Sequence, residues 1–264
     1  MYKNKNFFSF LTGGSVATLG GLIGLGGAEF RLPILVKFFG FATLSAIIIN
    51  KIVSLAVVIF SLFFRSHTIG FEEIIPYSSI IINILIGSLV GAYIGANYAM
   101  NLREVILNKI IFVLLIILAL SMLIGHNYLS YGEALFSNKI ILFIVGVISG
   151  VLIGVISAIL GVAGGEFIIP TLILLFGLEP KLAGSISLCI SLPTMLMAFF
   201  RYSKSQQFKQ ILKEKTFIVY MIIGSFIGSF IGAMLLDYVN SEYIAMILGI
   251  ILLISAWKVF KIND

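Results

Sequence analysis

Charge is scarce in this chain. Of its 264 residues, 11% are Asp, Glu, Lys or Arg, while 60% are hydrophobic. Soluble domains average roughly a quarter charged and half apolar, so a water-soluble globule of this size is excluded. Cysteine is scarcer still. Cys189 stands alone, which rules out an intramolecular disulfide and a cysteine-built metal cluster, and leaves it a packing role. The two histidines, His67 and His126, fall in expected loops without metal-ligand spacing. The apolar runs lack the every-other-residue alternation of barrel strands. No nucleotide-binding phosphate loop is present, so a primary pump would need a partner chain. The formal charge of +6 is gathered into a few loops, where it reads as a determinant of topology and not as a nucleic-acid footprint.

What remains is a helical, polytopic membrane protein. In lipid every backbone polar group must be satisfied within the protein, which makes helices the default spanning element. The first half is expected to hold segments at 7–24, 29–40, 43–64, 74–100 and 110–124. Of these, 29–40 is too short to cross a bilayer comfortably. A polar connector at 126–139 separates residues 1–125 from 140–264. The second half repeats the plan at 141–160, 166–177, 180–200, 216–236 and 243–260. Lys3 and Lys5 precede the first run, but no small-residue cleavage site follows, so that run is expected to be retained.

The repeat is legible in register. Gly24-Leu25-Gly26-Gly27-Ala28-Glu29-Phe30-Arg31-Leu32-Pro33 returns as Gly161-Val162-Ala163-Gly164-Gly165-Glu166-Phe167-Ile168-Ile169-Pro170, with positions 24 and 161 lying 137 apart. A second window, Ile86 to Ala96, matches Ile223 to Ala233 at the same offset, with seven of eleven residues identical. Two windows at one offset make chance similarity a poor account, and internal repeats of this kind are typical of secondary transporters.

Loop charges set the relative orientation. The loop from Arg65 to Glu73 has no basic excess, whereas its counterpart carries Arg201, Lys204, Lys209, Lys213 and Lys215. The next loop reverses the bias, with Arg103 and Lys109 set against Asp237 and Glu242. Since positive charge marks the cytoplasmic side, equivalent loops face opposite sides and the repeats are inverted. Each half is then a broken helical hairpin plus about three full transmembrane helices, with both termini cytoplasmic. Five crossings per half would also satisfy the parity, so the first segments are left as either re-entrant or spanning.

Two short helices starting near Ala28 and Gly165 would point positive N-terminal ends at one depth in the bilayer, an arrangement suited to an anion. The plain alternative for glycine is close helix packing, and it is the reading adopted for the Gly87-x3-Gly91-x3-Gly95 and Gly224-x3-Gly228-x3-Gly232 series. At Gly26, Gly27, Gly164 and Gly165 the neighbouring charge and proline favour a ligand site, to which Ala28 also belongs. Pro33 and Pro170 are expected in first helical turns, where a missing N–H costs little. Glu29 and Glu166 share one repeat position. Each either caps its helix or carries a proton, since a carboxylate out of water favours its protonated form. Arg31, opposite Ile168 in the repeat, pairs with Glu29 or contacts an anion. Asn50 and Lys51 interrupt a span, and Lys51, opposite Leu188, is an anion contact. Ser185, Ser187 and Ser191 could donate to a ligand or only to their own backbone. Lys37, nearer a boundary, snorkels.

At these two glycine stretches the chain resembles the sulfite exporter TauE/SafE-like family of permeases, which carries two copies of a G-x-G-G-G-x4-P type motif half a chain apart. It departs at Ala28 and Ala163. The resemblance extends over essentially the whole chain, and the Asn50-Lys51 step and the Ala183 to Ser187 stretch look like family positions. It implies transport of a small sulfur-containing anion, such as sulfite or a sulfonate, across the cytoplasmic membrane, often outward. Proton coupling through Glu29 and Glu166 is a separate inference from their position. The competing readings are an anion channel on the same scaffold and, ranked below it, a membrane-embedded enzyme, for which no catalytic constellation is visible. No cofactor, metal or nucleic acid is expected. Substrate and lipid are the partners, with homodimerisation left open.

Overall fold

The computed structural model describes residues 5–98, 134–160, 162–203, 208 and 211–260, together with scattered positions between 112 and 123. The described residues form helices and no strand. In chain order these are α1 (Lys5–Ile23), α2 (Ala28–Pro33) continuing as a π-helical turn (Ile34–Phe38), α3 (Thr43–Arg65), the single turn α4 (Phe71–Ile74) and α5 (Ser78–Tyr98). After them come α6 (Lys139–Leu160), α7 (Gly165–Phe176), α8 (Pro180–Tyr202), α9 (Lys215–Leu235) and α10 (Ser241–Phe260). Among the described residues, six stretches are long and apolar enough to cross a membrane: Lys5–Ile23, Ser45–Arg65, Phe71–Gly95, Lys139–Ala158, Pro180–Phe200 and Leu212–Leu235. The chain is a multi-pass, all-helical membrane protein. The span expected at 110–124 and most of the connector lie outside the described residues.

The segments fall close to where hydropathy places them. The expected 74–100 span is divided, because Gly70 and Pro76 punctuate its start. Glu73 Oε1 accepts the Gly70 N–H at 3.4 Å, and a 3-10 turn over Ile75–Tyr77 leads into α5. The offset of 137 recurs in the helix boundaries. It relates the ends of α1 and α6, the starts of α2 and α7, and both ends of α3 and α8 and of α5 and α9.

Helices of one half pack on helices of the other. α1 lies along α9, and α5 along α6. Glycine permits this. A methyl group at Gly224, Gly228 or Gly232 would overlap the carbonyl of Phe10, Gly14 or Thr18 on α1, and one at Gly87 or Gly91 that of Val147 or Val151 on α6. The packing role expected for both glycine series is therefore the one observed. Without a hydrophobic drive between helices in lipid, such backbone approach carries much of the association. Ser9 Oγ adds a 2.8 Å bond to the Phe217 carbonyl across the α1–α9 seam. Lys5 pairs with Glu214 at 2.9 Å. α3 and α8 pack on each other, α3 also touching α9 and α8 touching α5.

α7 is enclosed. Gly165 through Pro170 are all buried, as are Leu172, Ile173, Leu175 and Phe176. A helix apolar on every side is one surrounded by protein. Its 12 residues span about 18 Å, well short of the ~30 Å hydrocarbon core, so α7 cannot cross alone. Pro170 is the sixth residue of α7, in its second turn and not its first. Lacking an N–H, it cannot bond the Glu166 carbonyl four residues back. Pro33 closes α2 at the corresponding place, and the chain continues from it with π-helical pairing, Phe39 N–H donating to the Ile34 carbonyl at 3.1 Å.

Candidate functional site

The two glycine stretches meet. After α1 the chain turns at Gly24, whose φ of 95° is open to glycine and strained for other residues. A side chain there would overlap the backbone of Gly184 on α8. A methyl at Gly26 would sit 2.6 Å from Ala163 Cβ, and one at Gly165 would sit 3.1 Å from Leu25 Cδ2 and 3.4 Å from the Gly24 carbonyl oxygen. Gly26 and Gly165 thus pack against the opposite copy. Gly27 and Gly164 do not. With φ of 66° and 84° they cap α2 and α7 in the left-handed conformation. That turns them back onto their own halves, Gly27 against Val16 of α1 and Gly164 against Ser157 and Ile153 of α6.

In the first half the polar residues form a hydrogen-bonded network. Arg31 is 0% exposed. Its Nη1 donates to Asn50 Oδ1 at 3.2 Å and Ser54 Oγ at 2.9 Å, and its Nη2 to the Gly26 carbonyl at 3.4 Å. Asn50 Nδ2 donates in turn to the Ala28 carbonyl at 2.9 Å. Arg31 and Asn50 therefore hold the glycine turn against α3. The Glu29 side chain lies outside the described residues, so its expected pairing with Arg31 does not come into view. Lys51, 2% exposed, is enclosed by protein in mid-α3, whereas Lys37 is exposed. Glu166 is 4% exposed and stands in the first turn of α7, where the helix dipole favours negative charge.

Ser185 and Ser187 are both buried on α8, but they do different work. Ser187 Oγ is 3.2 Å from the position of a methyl at Gly165. Ser185 Oγ accepts from Arg65 Nε at 3.0 Å. Arg65 is the residue sequence reasoning missed. Read as the first residue of a loop, it is instead the last of α3 and 1% exposed. Its Nη1 donates to the carbonyls of Gly21 and Leu22 at 2.9 and 2.7 Å, and its Nη2 to that of Lys181 at 2.6 Å. One guanidinium thereby gathers the end of α1, the end of α3 and the start of α8. The only sequence signal was its position at the edge of an apolar run. Cys189 packs at the margin of the core. Among the described residues, no group of three or more His, Cys, Asp or Glu is placed to hold a metal ion.

A duplicated all-helical membrane scaffold with a buried polar centre is an architecture that secondary transporters share. The family comparison gives the name of that class: the model of the sulfite exporter TauE/SafE family matches residues 2–122 and 145–263. The chain belongs to that family of membrane permeases. No curated protein and no solved structure matches it.

Proposed function

We infer that this chain is a secondary transporter moving a small sulfur-containing anion, sulfite or a sulfonate, across the cytoplasmic membrane. The observation that carries this reading is the meeting of the two glycine stretches beside the N-terminus of α7, within a chain of the sulfite exporter family. Glycine there lets a ligand approach the backbone, and the positive end of α7 favours an anion. The substrate-facing residues in this reading are Gly165 and Ser187, with Lys51 supplying a buried positive charge. Gly26, Gly27, Ala28, Gly164, Arg31, Asn50 and Ser185 hold the frame around them. Glu166 and Glu29 are the proton carriers, because loading a proton on Glu166 removes the negative charge nearest the end of α7.

The two halves, 1–125 and 140–264, are inverted repeats with both termini cytoplasmic. The loop charges support this, and burial of Arg65 strengthens it by leaving the loop to His67, Glu72 and Glu73. Uptake of labelled sulfite, thiosulfate, a taurine-like sulfonate and a carboxylate control into proteoliposomes, with and without a pH gradient, tests the function. The expected result is sulfur-anion flux that grows with the gradient. Absence of flux for every sulfur anion would remove the substrate class, and indifference to the gradient would remove the proton role. Glu166→Gln is expected to abolish the gradient dependence, whereas a channel would conduct unchanged.

A further inference from the structure

The two halves treat one equivalent position in opposite ways. In the first half Arg31 donates to both Asn50 and Ser54. The offset of 137 puts Ile168, Ser187 and Ser191 in their places. A guanidinium has become an alkyl group and an amide has become a hydroxyl. Ser187 and Ser191 are 0% and 1% exposed, and the Oγ of each has no hydrogen-bond partner. Other hydroxyls of this protein are handled differently. Thr12, Thr18, Thr171 and Thr194 each bond the carbonyl four residues back, and Ser157 bonds the Val162 carbonyl. Any helical serine can make that local bond by rotating one torsion. These two do not make it, although burial makes an unsatisfied hydroxyl costly.

Their position says what would satisfy them. Four residues apart on α8, they share one helix face. Ser187 Oγ sits beside Gly165, the first residue of α7. We propose that the anionic head of the substrate binds in the second half alone, between the Ser187 and Ser191 hydroxyls and the first turn of α7, while Arg31 fills the equivalent place in the first half and does not touch substrate. The proposal rests on the transporter reading and narrows it to one oxyanion head per chain, held off the symmetry axis. Hydroxyls rotate to donate to sulfonate or sulfite oxygens, and once a proton on Glu166 has removed the carboxylate charge from the first turn of α7, the positive end of that helix selects an anion over a cation.

The test is thermal unfolding of the purified full-length protein, titrated with sodium sulfite, methanesulfonate or acetate against sodium and potassium chloride at matched ionic strength. Wild type is expected to gain stability from a sulfur anion. Ser187→Ala and Ser191→Ala should each weaken that binding about tenfold, the scale of one hydrogen bond to a charged group, and the double variant should lose it. Without ligand these variants should melt no lower than wild type, since the deleted hydroxyls bond nothing. Thr171→Val, whose hydroxyl bonds its own helix, should bind normally. Normal sulfur-anion binding by both serine variants would overturn the proposal and leave the transporter reading standing. Lower melting of the ligand-free variants with unchanged affinity would also overturn it, making the hydroxyls structural. A sodium-specific shift lost in the variants would overturn the choice of an anion. Serine-dependent stabilisation by acetate alone would support the site and remove sulfur from the function. No shift with any anion would overturn both.

Discussion

A buried guanidinium at membrane depth must find its own acceptors, because neither water nor lipid supplies them. Arg65 finds three carbonyls and a hydroxyl; Arg31 finds an amide, a hydroxyl and a carbonyl. Replacing Arg65 with Met would strand those carbonyls and should cost on the order of 3 kcal/mol, read as a lower midpoint in denaturant unfolding. At Arg31 the network predicts coupling. Arg31→Met and Asn50→Leu together should lose less than the sum of the two, by about 1–3 kcal/mol. Additive losses would mean that the 3.2 Å bond contributes little. Sequence flagged Arg31 through its asymmetry with Ile168. It could not flag Arg65, since an arginine ending an apolar run looks the same whether it meets water or three backbone carbonyls.

At the level of the helix, small residues decide which faces can touch. Gly91→Val on α5 and Gly228→Val on α9 would drive side chains into the opposing backbone and should destabilise by about 1–3 kcal/mol or more. Gly70→Ala would meet only the Glu72 backbone nitrogen, at 3.9 Å, and should stay within about 0.5 kcal/mol of wild type. Thermal unfolding of the three variants side by side checks the contrast. Gly164→Ala, at φ of 84°, should lose about 1–2 kcal/mol through backbone strain alone. The short seventh helix was legible as an apolar run of a dozen residues between a glycine cluster and Gly177. The placement of Pro170 was not, because helix α7 begins only where Gly164 turns left-handed, and a proline by itself does not say how far in it stands. Nor could sequence say that Gly27 and Gly164 face their own halves, which depends on how the caps rotate.

For the molecule as a whole, the duplication was legible from two matched windows, and the helix boundaries repeat the same offset. Orientation was inferred from loop charge, a long-range electrostatic preference. In a Cys189→Ser background, single cysteines at Ser66 and Ser203 should label with impermeant reagent from opposite sides of the membrane. Labelling from one side would remove the inversion. Which helices pair was not legible, because every glycine-faced helix offers a similar groove.

That pairing has a consequence for synthesis. The partner of α1 is α9, and the Ser9–Phe217 bond joins residues 208 apart. At roughly 5–20 residues per second, α1 waits about 10–40 s in the bilayer before the surface it fits has been made. During that interval its glycine face, with Gly13, Gly14 and Gly21, is open to other helices. A half expressed alone should therefore be captured by quality control, whereas residues 1–125 and 126–264 expressed together should protect each other from proteolysis in a pulse-chase. Only α10 is made after the seam that joins the first helix to the second half.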